Sequence, residues 1–187
     1  AVNTMGTDTI AAWGICDKLD MLIWLLADAM GPALTTYTAQ NMGAGRWDRV
    51  CKGNRIGAAM SVAAVGTVSL GLYFLTAPLG GLFVPVQDAA AVVPQAVVFM
   101  RRMAPFFLFY ALAESFSGAC CGTGDTVRPM ILTLLSICLL RVLGILLVLP
   151  RQHTMECIID IYISSWIAAG IGFLILWQWE KNRVPKT

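Results

Sequence analysis

The chain has 187 residues, 58% of them hydrophobic and 13% charged, with a net charge of +2 and a mean hydropathy of +0.72. A soluble domain of this length usually commits about a quarter of its residues to charge, so the composition excludes an ordinary soluble domain, and the small net charge offers nothing to a nucleic acid. Apolar runs of roughly twenty residues separated by charged connections predict an all-α, polytopic membrane helical bundle with about five transmembrane helices.

Residues 1–9, AVNTMGTDT, form a polar lead in which Asp8 or Thr9 can cap a following helix. The opening Ala1-Val2-Asn3 has no starting Met and reads as a fragment or a processed piece. The first helix is expected over residues 10–42, with a bend or tilt at Pro32. At about 100° per residue, Asp17 and Asp28 lie about 20° apart, Asp20 is about 60° from Asp17, and Gly31, Thr35 and Thr38 share their side. Leu19, Leu22, Leu25, Leu26 and Met30 occupy the other face. One face suits lipid or packed core, and the other calls for protein, water or an ion.

The connection Gln40–Arg55 reads as a membrane turn and holds Arg46, Arg49, Lys52 and Arg55. A second helix, 56–77, is almost purely apolar, and its Gly57, Gly66 and Gly71 allow close helix approach. A longer link with Pro78, Pro85 and Pro94 follows to about Arg102, within which 88–100 suggests a short interfacial helix. The third helix is expected over 103–121, with Tyr110, Glu114, Ser117 and Cys121 on one face. The turn CGTGDTVRP leads to a fourth helix, 130–149, containing Arg141. A fifth, 157–179, starts near Asp160 and ends with Trp177 and Trp179 in the position of an interfacial aromatic belt, before a basic tail.

Counted by side, Arg46, Arg49, Lys52, Arg55, Arg128, Lys181, Arg183 and Lys186 oppose Arg101, Arg102 and Arg151. This bias makes the first side cytoplasmic and predicts an inner-membrane, multi-pass protein with its first residue outside and its carboxy terminus inside.

Few residues suit catalysis. His153 lies in a short loop without partners at motif spacing, and Gly43-Ala44-Gly45 and Gly122-Thr123-Gly124 do not continue to GK[ST]. The six cysteines, Cys16, Cys51, Cys120, Cys121, Cys138 and Cys157, show no CxxC pair and suit packing. The chain is therefore read as no enzyme, with no cofactor and no metal. The chemistry lies in the intramembrane charges Asp17, Asp20, Asp28, Glu114 and Arg141, each costing on the order of 3 kcal/mol if it faced lipid at the centre. They either form static pairs, such as Arg141 with a carboxylate, or line a pathway; Asp28 and Glu114 are the candidates to bind or exchange a cation. Lys18 can snorkel beside Asp17. Trp13, Trp24, Tyr37, Phe106, Phe107, Phe109 and Tyr110 could stack on a flat organic cation.

Three stretches, VNTMGTDTIAAWGI, TAQNMGAGRWDRV and PFFLFYALAESFSGACCGTGDTVRP, resemble the multidrug and toxic compound extrusion (MATE) family, specifically the carboxy-terminal lobe of its bacterial members. The family pattern Gln-Asn-x-Gly-Ala-Gly with a following arginine matches Gln40, Asn41, Gly43, Ala44, Gly45 and Arg49, and its Gly-x-Gly-x-Thr turn matches Gly122, Gly124 and Thr126, with Pro129 after it. The resemblance implies half of a twelve-helix, two-lobe transporter that alternates between inward- and outward-open states and exchanges a drug for sodium or protons. On that pattern the chain corresponds to helices eight to twelve. Its partners would be membrane lipids, small organic cations and a missing amino-terminal lobe; no nucleic acid is implied. The resemblance implies a carboxy-lobe cation site with an acidic residue on the seventh helix, which this chain lacks, and another on the tenth, which falls near Tyr110 with Glu114 about one turn away. Gln40, Asn41, Gly43 and Arg49 would act as an orientation and gating turn. The leading expectation is secondary active antiport of organic cations or amphiphilic drugs. The alternatives are a lipid-linked precursor flippase, which would want a more cationic cavity, and a non-transporting scaffold built from a lobe remnant.

Overall fold

In lipid a backbone must satisfy its own polar groups, so long apolar runs become helices. The computed structural model describes residues 6–183. Helix α1 spans Thr7–Gly43, α2 Trp47–Gly80, α3 Val86–Met103, α4 Phe107–Gly122, α5 Val127–Thr133, α6 Leu140–Leu147 and α7 Met155–Arg183. A 3₁₀ turn, Ala104–Phe106, joins α3 to α4, and a π-helical segment, Leu134–Leu139, joins α5 to α6. The fold is all-α and polytopic, an architecture consistent with one lobe of a twelve-helix transporter. Among the described residues four stretches are long and apolar enough to cross a membrane: Trp47–Gly80, Val86–Gly122, Val127–Leu147 and Met155–Arg183. The longest helix, α1, has 37 residues and so runs about 55 Å, but Asp17, Lys18, Asp20 and Asp28 interrupt its apolar run.

α1, α3–α4 and α7 point the same way, α2 runs antiparallel against α1, α3 and α4, and α5–α6 runs antiparallel along α7. The pairing of Thr9 with Gln95, Tyr110 with Asp28 and Thr35 with Gly118 fixes the direction of α1 against α3–α4. One core cluster gathers Ile23, Met100, Met103, Phe107, Ile159 and Trp166; a second holds Val50, Phe116, Ala119, Phe173 and Trp177.

Several boundaries differ from expectation. The turn expected over Gln40–Arg55 shrinks to residues 44–46, and α2 begins at Trp47 rather than at 56. Arg and Lys are good helix formers, and Asp48 complements the dipole of the first turn, so these polar residues extend the helix beyond lipid instead of ending it. Gly45, at φ 67°, makes the short turn possible. Asn54, expected in the turn, is fully buried and donates through Nδ2 to Thr38 Oγ1 at 2.8 Å. The proline-rich link contracts to residues 81–85. Pro78 lies inside α2 and Pro94 inside α3, and α3 packs Val92, Ala96, Phe99 and Met100 into the core rather than lying apart at the interface. Pro105 sits in the 3₁₀ turn, where Ser69 Oγ donates to the Ala104 carbonyl at 2.5 Å. Gly71, expected at a helix contact, has open space beside it. Trp177 is 4% exposed and packs on Phe116 and Trp47, so it belongs to the core and not to an interfacial belt. The first five residues of the polar lead and residues 184–187 of the basic tail, including Lys186, lie outside the described residues.

At one end of the bundle a charged cluster ties the α4–α5 turn to α7. Arg128 Nη1 lies 2.6 Å from Asp125 Oδ2 and 3.4 Å from Glu180 Oε1, and its guanidinium sits 4.2 Å over Trp179. Burial would raise the Asp125 carboxyl, but the Arg128 amide and guanidinium outweigh it and hold that carboxyl below the ordinary carboxylate range. Its contribution is therefore in place at neutral pH and is lost only as pH falls through the lowered value. The Glu180 side chain is only 3% exposed while that of Arg128 is 43% exposed. Arg128→Ala is expected to strand a buried carboxylate and cost about 2 kcal/mol, a buried-pair loss discounted for exposure. Adding Glu180→Gln should return part of that loss in thermal unfolding in detergent; no recovery would show that the pair is not the source. The opposite end carries an exposed triad, with Arg102 bidentate on Asp160 at 2.8 and 2.7 Å and 3.3 Å from Glu156. Pairs this exposed contribute little.

Candidate functional site

Helices α1 and α4 approach so closely because glycine faces backbone. A Cβ on Gly118 would collide with the Gly31 carbonyl, and one on Gly122 would lie 2.6 Å from the Thr35 carbonyl. Small residues are the usual contact surface between helices in lipid. Thr35 Oγ1 sits 3.0 Å from both the Gly31 and the Gly118 carbonyl oxygens, so its one proton is shared across the crossing.

This register sets Asp28 against Tyr110 and Glu114. The Tyr110 hydroxyl donates to Asp28 Oδ1 at 2.7 Å, and Glu114 follows Tyr110 by one helical turn on the same face of α4. The Glu114 carboxylate lies over Gly31: a Cβ there would be 3.5 Å from its Oε2. Pro32 has no amide hydrogen, so the Asp28 carbonyl lacks its helical donor and adds a backbone oxygen to the neighbourhood. On α4, Ala111, Ala113, Ser115, Phe116 and Gly118 are buried, while Tyr110, Glu114, Ser117 and Cys121 remain half-buried. The polar stripe is thus half-buried, as are the apolar Leu108, Phe109 and Leu112 of the same helix, and Asp28 beside the stripe is exposed.

Both carboxylates border the α1–α4 crossing, Asp28 through the Tyr110 hydroxyl and Glu114 over Gly31, and like charges near one another favour an intervening cation. The donors are all oxygens, which suits a hard cation. Among the described residues no group of three or more His, Cys, Asp and Glu comes together.

Aromatic rings line one side. Trp24 meets Tyr110 edge-on at 4.5 Å between centroids, Phe107 at 6.2 Å and Trp166 at 5.8 Å; Trp13 meets Tyr162 at 5.7 Å. Phe106 and Phe109 stack on each other instead. Tyr37 is far along α1, where its ring covers Gly53 and its hydroxyl donates to the Arg49 carbonyl at 3.1 Å.

The remaining candidates lie elsewhere. Asp17 and Asp28 share a helix side, but eleven residues separate them along the axis by about 16 Å. Asp20 is 6% exposed and neighbours Trp24, while Asp17 is exposed beside Trp13. Lys18 does not simply snorkel beside Asp17; its Nζ sits 5.1 Å over the Phe83 ring. Among the described residues Arg141 has no carboxylate partner: its Nε donates to Ser165 Oγ at 2.9 Å and its guanidinium lies 4.1 Å over Tyr162. In the glycine turn the Gln40 carbonyl accepts from Ala44 N–H, Asn41 Nδ2 donates to the Tyr37 carbonyl at 2.8 Å, Gly43 ends α1, and Arg49 lies in the first turn of α2.

Sequence reasoning missed Thr38 with Asn54, Glu180 with Arg128, and Tyr162, Ser165 and Trp166 around Arg141. The spacing of Tyr162 and Trp166, four apart with Ser165 between them, was the available signal for the last group.

The MatE family profile matches residues 1–147. The chain is 20% identical over 190 aligned positions, covering 99% of its length, to a Bacillus subtilis (strain 168) protein described as "Probable multidrug resistance protein YoeA". It spans 40% of the length of that curated relative. With most of its length matched by the family profile, this chain belongs to the MatE family.

Proposed function

We propose that the chain forms the carboxy-terminal lobe of a secondary transporter that exchanges amphiphilic organic cations for sodium ions or protons across a bacterial cytoplasmic membrane. The observation that carries the reading is the Tyr110 hydroxyl held on Asp28, with Glu114 one turn further along the half-buried polar face of α4. Organic cation and coupling ion would compete for the same two carboxylates, so that binding one releases the other. Differential affinity of each for the two states of the full protein then drives alternation. The rings of Trp24 and Tyr110 offer π faces and edges to a flat cation. The multidrug resistance ascribed to the Bacillus subtilis relative supports an amphiphilic substrate. An amino-terminal lobe would complete the path, since repeats in such transporters enclose their substrate between them. The glycine turn with Gln40, Asn41, Gly43 and Arg49 lies on the cytoplasmic side by its basic load, with the carboxy terminus, and acts in orientation and gating.

The test is ethidium efflux by the full-length protein in vesicles given a sodium gradient, a proton gradient or neither. Efflux is expected to accelerate with one of the two gradients and to vanish without either. A rate indifferent to both would end the proposal.

A further inference from the structure

The segment that carries Arg141 is not a plain α-helix. Residues Leu134–Leu139 form π-helical turns between α5 and α6. One extra residue per turn rotates everything after it by about 100° relative to an uninterrupted helix. That rotation turns Arg141 toward α7, where Gly144 lets the helices close: a Cβ there would lie 2.8 Å from Ile161.

Against α7, Arg141 is held but not neutralised. Nε is taken by Ser165 Oγ at 2.9 Å, and Ser165 Oγ in turn donates to the Tyr162 carbonyl at 2.6 Å. The guanidinium face lies 4.1 Å from the Tyr162 ring. Both terminal nitrogens therefore remain, with four N–H donors. Among the described residues no carboxylate pairs with them, and the groups in electrostatic range are the phenols of Tyr162 and Tyr110 and the Cys138 thiol. The next residue along α7, Trp166, is 1% exposed, and its Nε1–H has no acceptor among the described residues. A half-buried fixed cation and, one residue beyond its Ser165 brace, an orphaned donor make a place rich in donors and short of acceptors. Ionisable side chains within membrane spans are rare and pair with a partner or mark a substrate or ion path.

The same rings lead from this place to the carboxylates. Tyr162 contacts Trp166 at 6.2 Å, Trp166 contacts Trp24 at 5.8 Å and Trp24 contacts Tyr110 at 4.5 Å, and Tyr110 holds Asp28. A train of contacting rings thus links a cationic end to an anionic end, with Tyr162, Trp24 and Tyr110 half-buried and Trp166 enclosed between them. We propose that Arg141, braced by Ser165 and Tyr162, is an anion subsite that receives the carboxylate of an aromatic substrate whose cationic group engages Asp28 and Glu114. Its second half rests on the cation-exchange reading above.

The probes are a rhodamine methyl ester, a plain cation, and the same rhodamine as the free acid, which adds a carboxylate. Their binding to the purified full-length protein is followed by fluorescence anisotropy in chloride and in gluconate buffer. Arg141→Gln is expected to weaken binding of the free acid at least about ten-fold, the scale of a lost charge-assisted bidentate contact, and to change the ester far less. Arg141→Lys keeps the charge without the fork and should fall between. Equal losses for ester and acid, or none for either, would overturn the proposal. So would ester binding that falls in gluconate through Arg141, because the occupant would then be chloride. If Asp28→Asn and Glu114→Gln leave both dyes untouched while Arg141→Gln still separates them, the anion subsite stands and the cation-exchange reading fails.

Discussion

Glu114→Gln and Asp28→Asn are each expected to cut gradient-driven ethidium efflux by the full-length protein at least about ten-fold, since each removes one charge-assisted contact worth about 1.5–3 kcal/mol. Neither substitution changes shape appreciably. Gln still packs over Gly31 and Asn still faces Tyr110, so loss would follow from charge rather than from collapse of the α1–α4 contact. Tyr110→Phe makes a useful third variant. It keeps the ring against Trp24 but removes the hydroxyl that holds Asp28, and is expected to shift the ion concentration for half-maximal efflux with a smaller effect on the maximal rate. Efflux unchanged in both carboxamide variants would remove the two carboxylates from ion exchange, whatever their proximity.

Much of this site was foreshadowed within single helices. Angular spacing alone grouped Asp28 with Gly31, Thr35 and Thr38, and Tyr110 with Glu114, Ser117 and Cys121, and those two faces border the α1–α4 contact. Relations between helices were a different matter. A helical wheel carries no information on axial rotation, so it could not assign Arg141 to Ser165 and Tyr162 in place of a carboxylate. The π segment that sets that rotation has a composition, LLSICL, indistinguishable from ordinary lipid-facing α-helix. Trp177 illustrates the same limit: its place near the end of an apolar run suits a lipid interface, yet the length of α7 brings it against Phe116 and Trp47. Polar residues at helix ends were misread as turn, because hydropathy reports where lipid stops and not where the helix does.

The close α1–α4 contact holds the two halves of the site together, and it can be tested with a single methyl group. Gly118→Ala directs that methyl at the Gly31 carbonyl, a backbone atom that cannot swing aside as a side chain would. The helices must part, the Thr35 bridge to the Gly118 carbonyl lengthens from 3.0 Å, and overpacking of this kind costs about 1–3 kcal/mol. A clear fall in the unfolding temperature in detergent is expected. Separation also draws Asp28 away from Tyr110 and Glu114, so efflux should fall with it even where the protein still folds. Gly71→Ala is the matched control: nothing lies within 4 Å of its methyl, and exchanging Gly for Ala in a helix interior favours the folded state by up to about 1 kcal/mol. The two substitutions should therefore move stability in opposite directions. If Gly118→Ala unfolded no earlier than Gly71→Ala, the glycine contact could not be what fixes the spacing of the carboxylates, and their approach would have to be maintained by the packing of α7 against α4 through Gly170, where a Cβ would lie 2.8 Å from the Phe109 carbonyl.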